Sequence, residues 1–126
     1  MNKANFEDLQ IFQLAEKLAD MIWDIVINWN SFEKDTIGKQ FTRAVDSIGA
    51  NIAEGNGRYN LQDNLRFIKI ARGSLYETRY WLKRADIRKL LVNEQLDNVE
   101  AIINELSPKL NAYLKYLDMT IKKQNK

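Results

Sequence analysis

The sequence predicts an all-α protein: an up-and-down antiparallel four-helix bundle with left-handed, coiled-coil-like packing. Three observations predict it. Apolar residues recur at alternating spacings of four and three in four separate segments. Those segments are joined by short polar connections rich in Asn, Ser and Gly. One proline and five glycines in 126 residues exclude a turn-rich β protein.

The first helix is expected over about residues 7–29, with Ile11, Ala15, Leu18, Ile22, Ile25 and Trp29 as its seam. Phe12, Leu14, Ala19, Trp23 and Val26 add apolar surface beside that seam. One stripe suffices for a monomeric bundle. The excess points to a partner subunit; the competing reading is a broad core face with scattered exposed apolar residues. Asn28, Asn30 and Ser31 mark a loop.

The second helix is expected over 34–56, with Glu33 or Asp35 placing negative charge at its start and Gly57 as a left-handed C-cap. At about 100° per residue, Ile37, Phe41, Val45, Ile48 and Ile52 share the core face. Beside them runs a polar stripe of Gln40, Arg43, Ser47, Asn51, Glu54 and Arg58, with Ala44 and Gly55 on the border. Ser and Asn compete for the helix backbone and are poor interior residues. Their presence here reads as a packed polar seam between helices; a tolerant exposed face is the alternative.

The third helix is expected over 61–90, capped by Asn60. Its core residues are Leu61, Ile68, Ala71, Leu75, Thr78, Leu82 and Ala85. In an antiparallel hairpin turning near Tyr59, Ser74 and Glu77 come level with Ser47, Ala44 and Arg43. Ser74 is therefore expected in the polar seam, and Glu77 is expected to pair with Arg43. Gly73 would let a neighbouring helix approach closely. The fourth helix is expected over 94–122, capped by Asn93, with Leu96, Val99, Ile103, Leu106, Leu110, Tyr113, Leu117 and Ile121 as an unbroken seam. Pro108 lies inside it, so a kink without a break is expected. The lysine-rich tail from Lys122 should fray.

The motif Q-x-x-R-A-x-x-S-I-x-x-N-I-A-E-G-x-G-R at Gln40–Arg58, followed by I-A-R-G-S-L-Y-E-T at Ile70–Thr78, resembles the four-helix bundle proteins of the 23S rRNA intervening-sequence family. The resemblance extends from about Phe6 to Leu117. Gly49 departs from it, where proline is expected after Ser-Ile; glycine also loosens the helix and favours a bend there. The resemblance implies a homopentamer without enzymatic activity and with a nucleic-acid role. It extends in fold to the accessory proteins of diversity-generating retroelements, basic partners of a reverse transcriptase.

Net charge is only +2, but Leu61–Leu90 holds eight basic residues against three acidic ones, a surplus of five, which leaves the remainder at −3. Lys69, Arg72, Tyr76, Arg79, Tyr80 and Lys83 share one face of the third helix, with Arg66 and Arg84 flanking it. Cations interleaved with tyrosines suit RNA or DNA, neutralising phosphates and stacking on unpaired bases. The competing reading is a solvated face with tyrosines packed under arginine stems.

Enzyme chemistry finds little support. The chain has no Cys and no His, so Ser47 and Ser74 lack an activating base and the commonest metal ligands are missing. Lys69 alone makes no base, and Glu54 and Glu77 are expected to be taken up by Arg58 and Arg43. The Gly55-x-Gly57 pair follows a helix rather than a strand, which excludes a phosphate-binding loop. No cofactor is expected. The chain opens M-N-K-A-N-F-E-D with no leader pattern, and its longest apolar run, Met21–Trp29, is broken by Asp24 and Asn28. No membrane association is expected, and the cytoplasm of a bacterium is the expected location.

Overall fold

The computed structural model describes residues 5–125. A single 3-10 turn, Phe6–Asp8, leads into helix α1, Gln10–Val26; α2 follows over Lys39–Asn56, α3 over Leu61–Ile87 and α4 over Asn93–Gln124. Each helix packs antiparallel on its chain neighbour, and α1 packs on α4 to close the bundle; α2 and α3 share the broadest contact. No strand occurs among the described residues, and no helix there is long and apolar enough to cross a membrane.

The seam periodicity is realised closely. On α3 the buried residues Asn64, Ile68, Ala71, Leu75, Thr78, Leu82 and Ala85 alternate in steps of four and three. On α2, Phe41, Val45, Ile48 and Ile52 are fully buried. Leu61, Leu96 and Ile121 are half-buried at the ends of their seams, and Tyr113 is half-buried within one. The surplus apolar surface of α1 is mostly absorbed within the subunit. Leu14 and Val26 are buried and Phe12 and Ala19 pack against the core, which leaves Trp23 and Ile27 exposed.

The entry into α2 is more elaborate than the expected loop. Asn30 precedes a helical turn at Ser31–Glu33, then a π-helical stretch at Lys34–Gly38 runs directly into α2. The wide π turn places Gly38 against α1: a Cβ there would stand 2.9 Å from Val26 Cγ1. Trp29 lies outside α1. Its ring stacks on Phe41 and its indole N–H donates to the Leu90 carbonyl at 3.0 Å, tying the α1–α2 connection to the end of α3.

Three end-of-helix expectations are corrected. Gly57 is right-handed at φ −79°, because only three residues separate α2 from the Asn60 cap and the chain turns through an Arg58 N–H bond to the Gly55 carbonyl. The left-handed residue is Lys89, at φ 61°. There Leu90 N–H donates to Ala85 O and Lys89 N–H to Asp86 O, the paired bonds of a Schellman motif. Asn93 is the first residue of α4 and caps nothing. Gln95 Oε1 accepts from the Val92 N–H instead, at 3.0 Å. Asn60 does cap α3, its side chain accepting from Asp63 N–H at 2.8 Å. The helix α4 continues through Pro108 and on to Gln124, so the expected fraying from Lys122 is not seen; Lys126 lies outside the described residues.

Gly55 is where α2 and α3 come closest. A Cβ there would meet Asn64 Oδ1 at 2.8 Å, Phe67 Cβ at 2.9 Å and the Asn64 carbonyl at 3.1 Å. Gly49 has only ordinary contacts with Phe12 and Ala15 and sits in uninterrupted helix. Gly73 has nothing within 4 Å, so it serves no close approach in the subunit, contrary to expectation. We therefore predict opposite signs for one substitution. Gly55→Ala should lower the unfolding free energy by about 1–3 kcal/mol through overpacking. Gly73→Ala should raise it by about 0.5–1 kcal/mol through helix propensity. Urea denaturation of the two variants checks both.

Candidate functional site

The α2–α3 register brings the polar seam together as a chain of hydrogen bonds. Ser74 Oγ donates to Ser47 Oγ at 2.9 Å, and Asn51 Nδ2 donates to the same oxygen at 2.9 Å and to the Ser47 carbonyl at 2.7 Å. Thr78, fully buried, donates to the Ser74 carbonyl at 2.8 Å. Ser47, Asn51 and Ser74 are half-buried, so the chain follows the rim of the interface and not its centre. Arg58, just beyond α2, pairs with Glu54 in its last turn, at 2.7 Å.

The expected Arg43–Glu77 pair does not form: neither residue has an ion pair among the described residues. Both stand at the right level but on the exposed outer edge. An exposed pair gains too little Coulomb energy to hold two long side chains in one geometry.

The basic stripe of α3 runs beside α4 and outward from it. Arg79 and Lys83, with Asp86, face Leu96, Glu100 and Asn104 across a shallow cleft. Further along, Arg72 and Tyr76 face Pro108, Asn111 and Lys115 across another. Lys69, Arg72, Tyr76, Tyr80 and Lys83 are exposed, and Arg79 is half-buried with its guanidinium 5.9 Å from the Tyr76 ring. Lys69, Arg72 and Lys83 form no ion pair among the described residues. Arg66 is more committed: it lies 4.5 Å over the Phe67 ring and 3.8 Å from Asp63. Sequence reasoning missed the α4 contribution, Lys115 extending the basic end and Glu100 opposing the Lys83 end. No signal within α3 could have shown it, because it depends on which face of α4 lies alongside.

Residues 7–112 match the family described as 23S rRNA-intervening sequence protein. The chain belongs to that family. A protein of unknown function from Bacteroides thetaiotaomicron, described as of the S23 ribosomal protein family, is similar in structure with a TM-score of 0.73. It is 24% identical, and the match covers 83% of this chain and 98% of that one. No protein of curated function matches this chain. For this family member, the match spans the polar seam and the basic stripe alike.

A further polar site lies at the α1–α2 edge, which sequence reasoning did not single out. Asp46 lines a cleft with Trp23, Ile27, Lys39 and Arg43. Partial desolvation there raises its carboxyl above the ordinary value of 3.8, and the Asp20 carboxylate raises it further. Among the described residues, no three or more Asp and Glu side chains gather as a metal site would need.

Two predictions follow from this geometry. The Ser47–Ser74 bond should show as a coupling of about 0.5–1.5 kcal/mol in a double-mutant cycle of Ser47→Ala and Ser74→Ala measured by denaturation. Asp46 holds its proton more tightly folded than unfolded, so its contribution makes stability fall as pH rises from about 3.8 through the raised value. Asp46→Asn should accordingly raise the melting temperature at neutral pH and flatten that part of the pH–stability profile, read by thermal scans across the acid range.

Proposed function

We propose that this protein is a non-enzymatic, oligomeric four-helix bundle that binds RNA or DNA through the basic face of α3. The observation that carries the reading is the state of the cations. Lys69, Arg72 and Lys83 project from one exposed face without carboxylate partners among the described residues, interleaved with the exposed rings of Tyr76 and Tyr80. Unpaired cations can release counterions from a phosphate backbone, and exposed tyrosine faces can stack on bases. Copies of the face repeated around a homopentameric ring, the assembly implied by the family resemblance, would widen the field of a modest patch. The non-enzymatic part rests on the chemistry of the seam: Ser47 Oγ is engaged by Asn51 and Ser74, and the chain has no histidine to activate either serine.

A second reading is a ring scaffold or adaptor that holds a protein partner such as a reverse transcriptase. It draws on Trp23 and Ile27, which stay exposed at the α1–α2 edge where a protein surface could cover them.

Labelled structured RNA and duplex DNA, titrated at low and physiological salt, separate the two. The nucleic-acid reading expects salt-sensitive binding, weakened at least about tenfold in Arg72→Glu/Lys83→Glu, with the logarithmic salt slope reduced by about two. That variant should keep its helical circular dichroism, since both side chains are exposed. Absence of binding at low salt, or unchanged binding by the variant, would remove the nucleic-acid reading and leave the scaffold.

A further inference from the structure

Where α2 begins and α3 ends, the bundle carries a cleft of about 400 Å³ that the basic stripe does not use. Asp35 and Gln40 contribute from the α2 side, and Tyr80, Trp81 and Arg88 from α3. Its size lies within the roughly 300–1,000 Å³ of small-molecule sites. The α2 side is built on the π-helical stretch Lys34–Gly38, and such irregular turns are frequent at functional sites.

The polar groups in and around this cleft are unusually uncommitted. Arg88 lies between Asp35 on one side and Glu33 on the other, yet it forms no ion pair with either. Glu33 Oε2 is buried without a hydrogen-bond partner, and so is the indole N–H of Trp81. A buried polar group left unpaired is destabilising, and it gains from any partner that reaches it. One aromatic wall, by contrast, is firmly held. Tyr80 packs edge-to-face on Trp81, with centroids 4.9 Å apart and planes at 74°, while more than half of it stays open to solvent.

We propose that this cleft takes an unpaired guanine base of a single strand lying along α3. The proposal rests on the nucleic-acid reading above and deepens it. Guanine offers the complement to the groups present. Its N1–H and N2 amino group are donors for the Asp35 carboxylate, and its O6 and N7 are acceptors for the Arg88 guanidinium. Its ring has the held face of Tyr80 to stack on. Adenine reverses this pattern, presenting N6 donors towards the cation and an N1 acceptor towards the carboxylate. Gln40 remains for the sugar edge. Tyr80 joins the two surfaces, since it belongs to the basic stripe and walls the cleft. A strand neutralised by Arg72 and Lys83 would thus deliver a base to it.

The test uses guanosine and adenosine 5′-monophosphates, and two short single-stranded RNAs: adenines only, and the same strand with one central guanine. Calorimetric titration should show the guanine strand and guanosine monophosphate each preferred by about tenfold. Asp35→Asn and Arg88→Gln, both at exposed positions, should erase that preference while leaving circular dichroism unchanged. Equal affinity for the two strands, or a preference that survives both variants, overturns the proposal. If both strands bind equally and Arg72→Glu/Lys83→Glu abolishes both, the stripe reading stands and the cleft fails. If neither strand binds, the mononucleotides decide: guanosine monophosphate preference lost in Asp35→Asn keeps the cleft, and no binding overturns it.

Discussion

The close approach of α2 and α3 at Gly55 is the constraint on which the rest of the bundle depends. With no side chain at Gly55, Asn64 and Phe67 rest directly on its backbone. That contact sets both spacing and register. Moving away from the turn, Ser47 meets Ser74, and further still Gln40 comes beside Trp81. Each of these levels follows from the first, since two helices packed antiparallel keep one offset along their length. A side chain at Gly55 would push the helices apart where they begin, and the Ser47–Ser74 bond, at 2.9 Å, has no slack to absorb the displacement.

The same register governs the electrostatics. It turns Ser74 and Phe67 towards α2, which leaves Lys69, Arg72, Tyr76 and Lys83 for solvent and the α4 side. Two of the three acids of α3 lie away from that face. Asp63 is engaged by Arg66, and Glu77 stands on the α2 edge. The face is nevertheless uneven. Glu100 and Asp86 share the cleft with Lys83, whereas Lys115 adds to Arg72, so the positive field is strongest around Arg72 and Tyr76.

Most of the helical architecture is legible in the sequence because it rests on periodicity. Steps of four and three identify the buried face of every helix, and a hairpin turning near Tyr59 is enough to place Ser74 beside Ser47. What was not legible depends on single backbone conformations or on exposed geometry. Gly57 is right-handed and Lys89 left-handed because a left-handed residue is demanded by where the chain must go next, and a lysine can supply it at moderate cost. The cap expected of Asn93 is supplied by Gln95, two residues further on. Arg43 and Glu77 stand level without pairing, since level is a property of the register and pairing a property of solvation. Within the candidate site, the α3 stripe was legible as a periodic face. Its α4 border, the Asp46 cleft and the Arg88 cleft were not, because each is formed by residues distant in sequence.

The two exposed edges of α2 would respond differently to being covered by another molecule. On the α3 side lie Glu77 and the half-buried Ser–Asn chain, whereas Arg43 lines the α1-side cleft. An apolar surface placed there would strand the Glu77 charge and several hydrogen-bonding groups, at a cost of several kcal/mol. On the α1 side lie Trp23 and Ile27, whose burial is favourable, beside an Asp46 already inclined to hold its proton. Covering that edge would raise Asp46 further unless Lys39 or Arg43 of the same cleft, or the covering surface, set a cation or a donor against it. A subunit or protein partner is therefore better matched to the α1–α2 edge, with a positive group opposite Asp46, and such an arrangement leaves the α3 face free for a separate ligand.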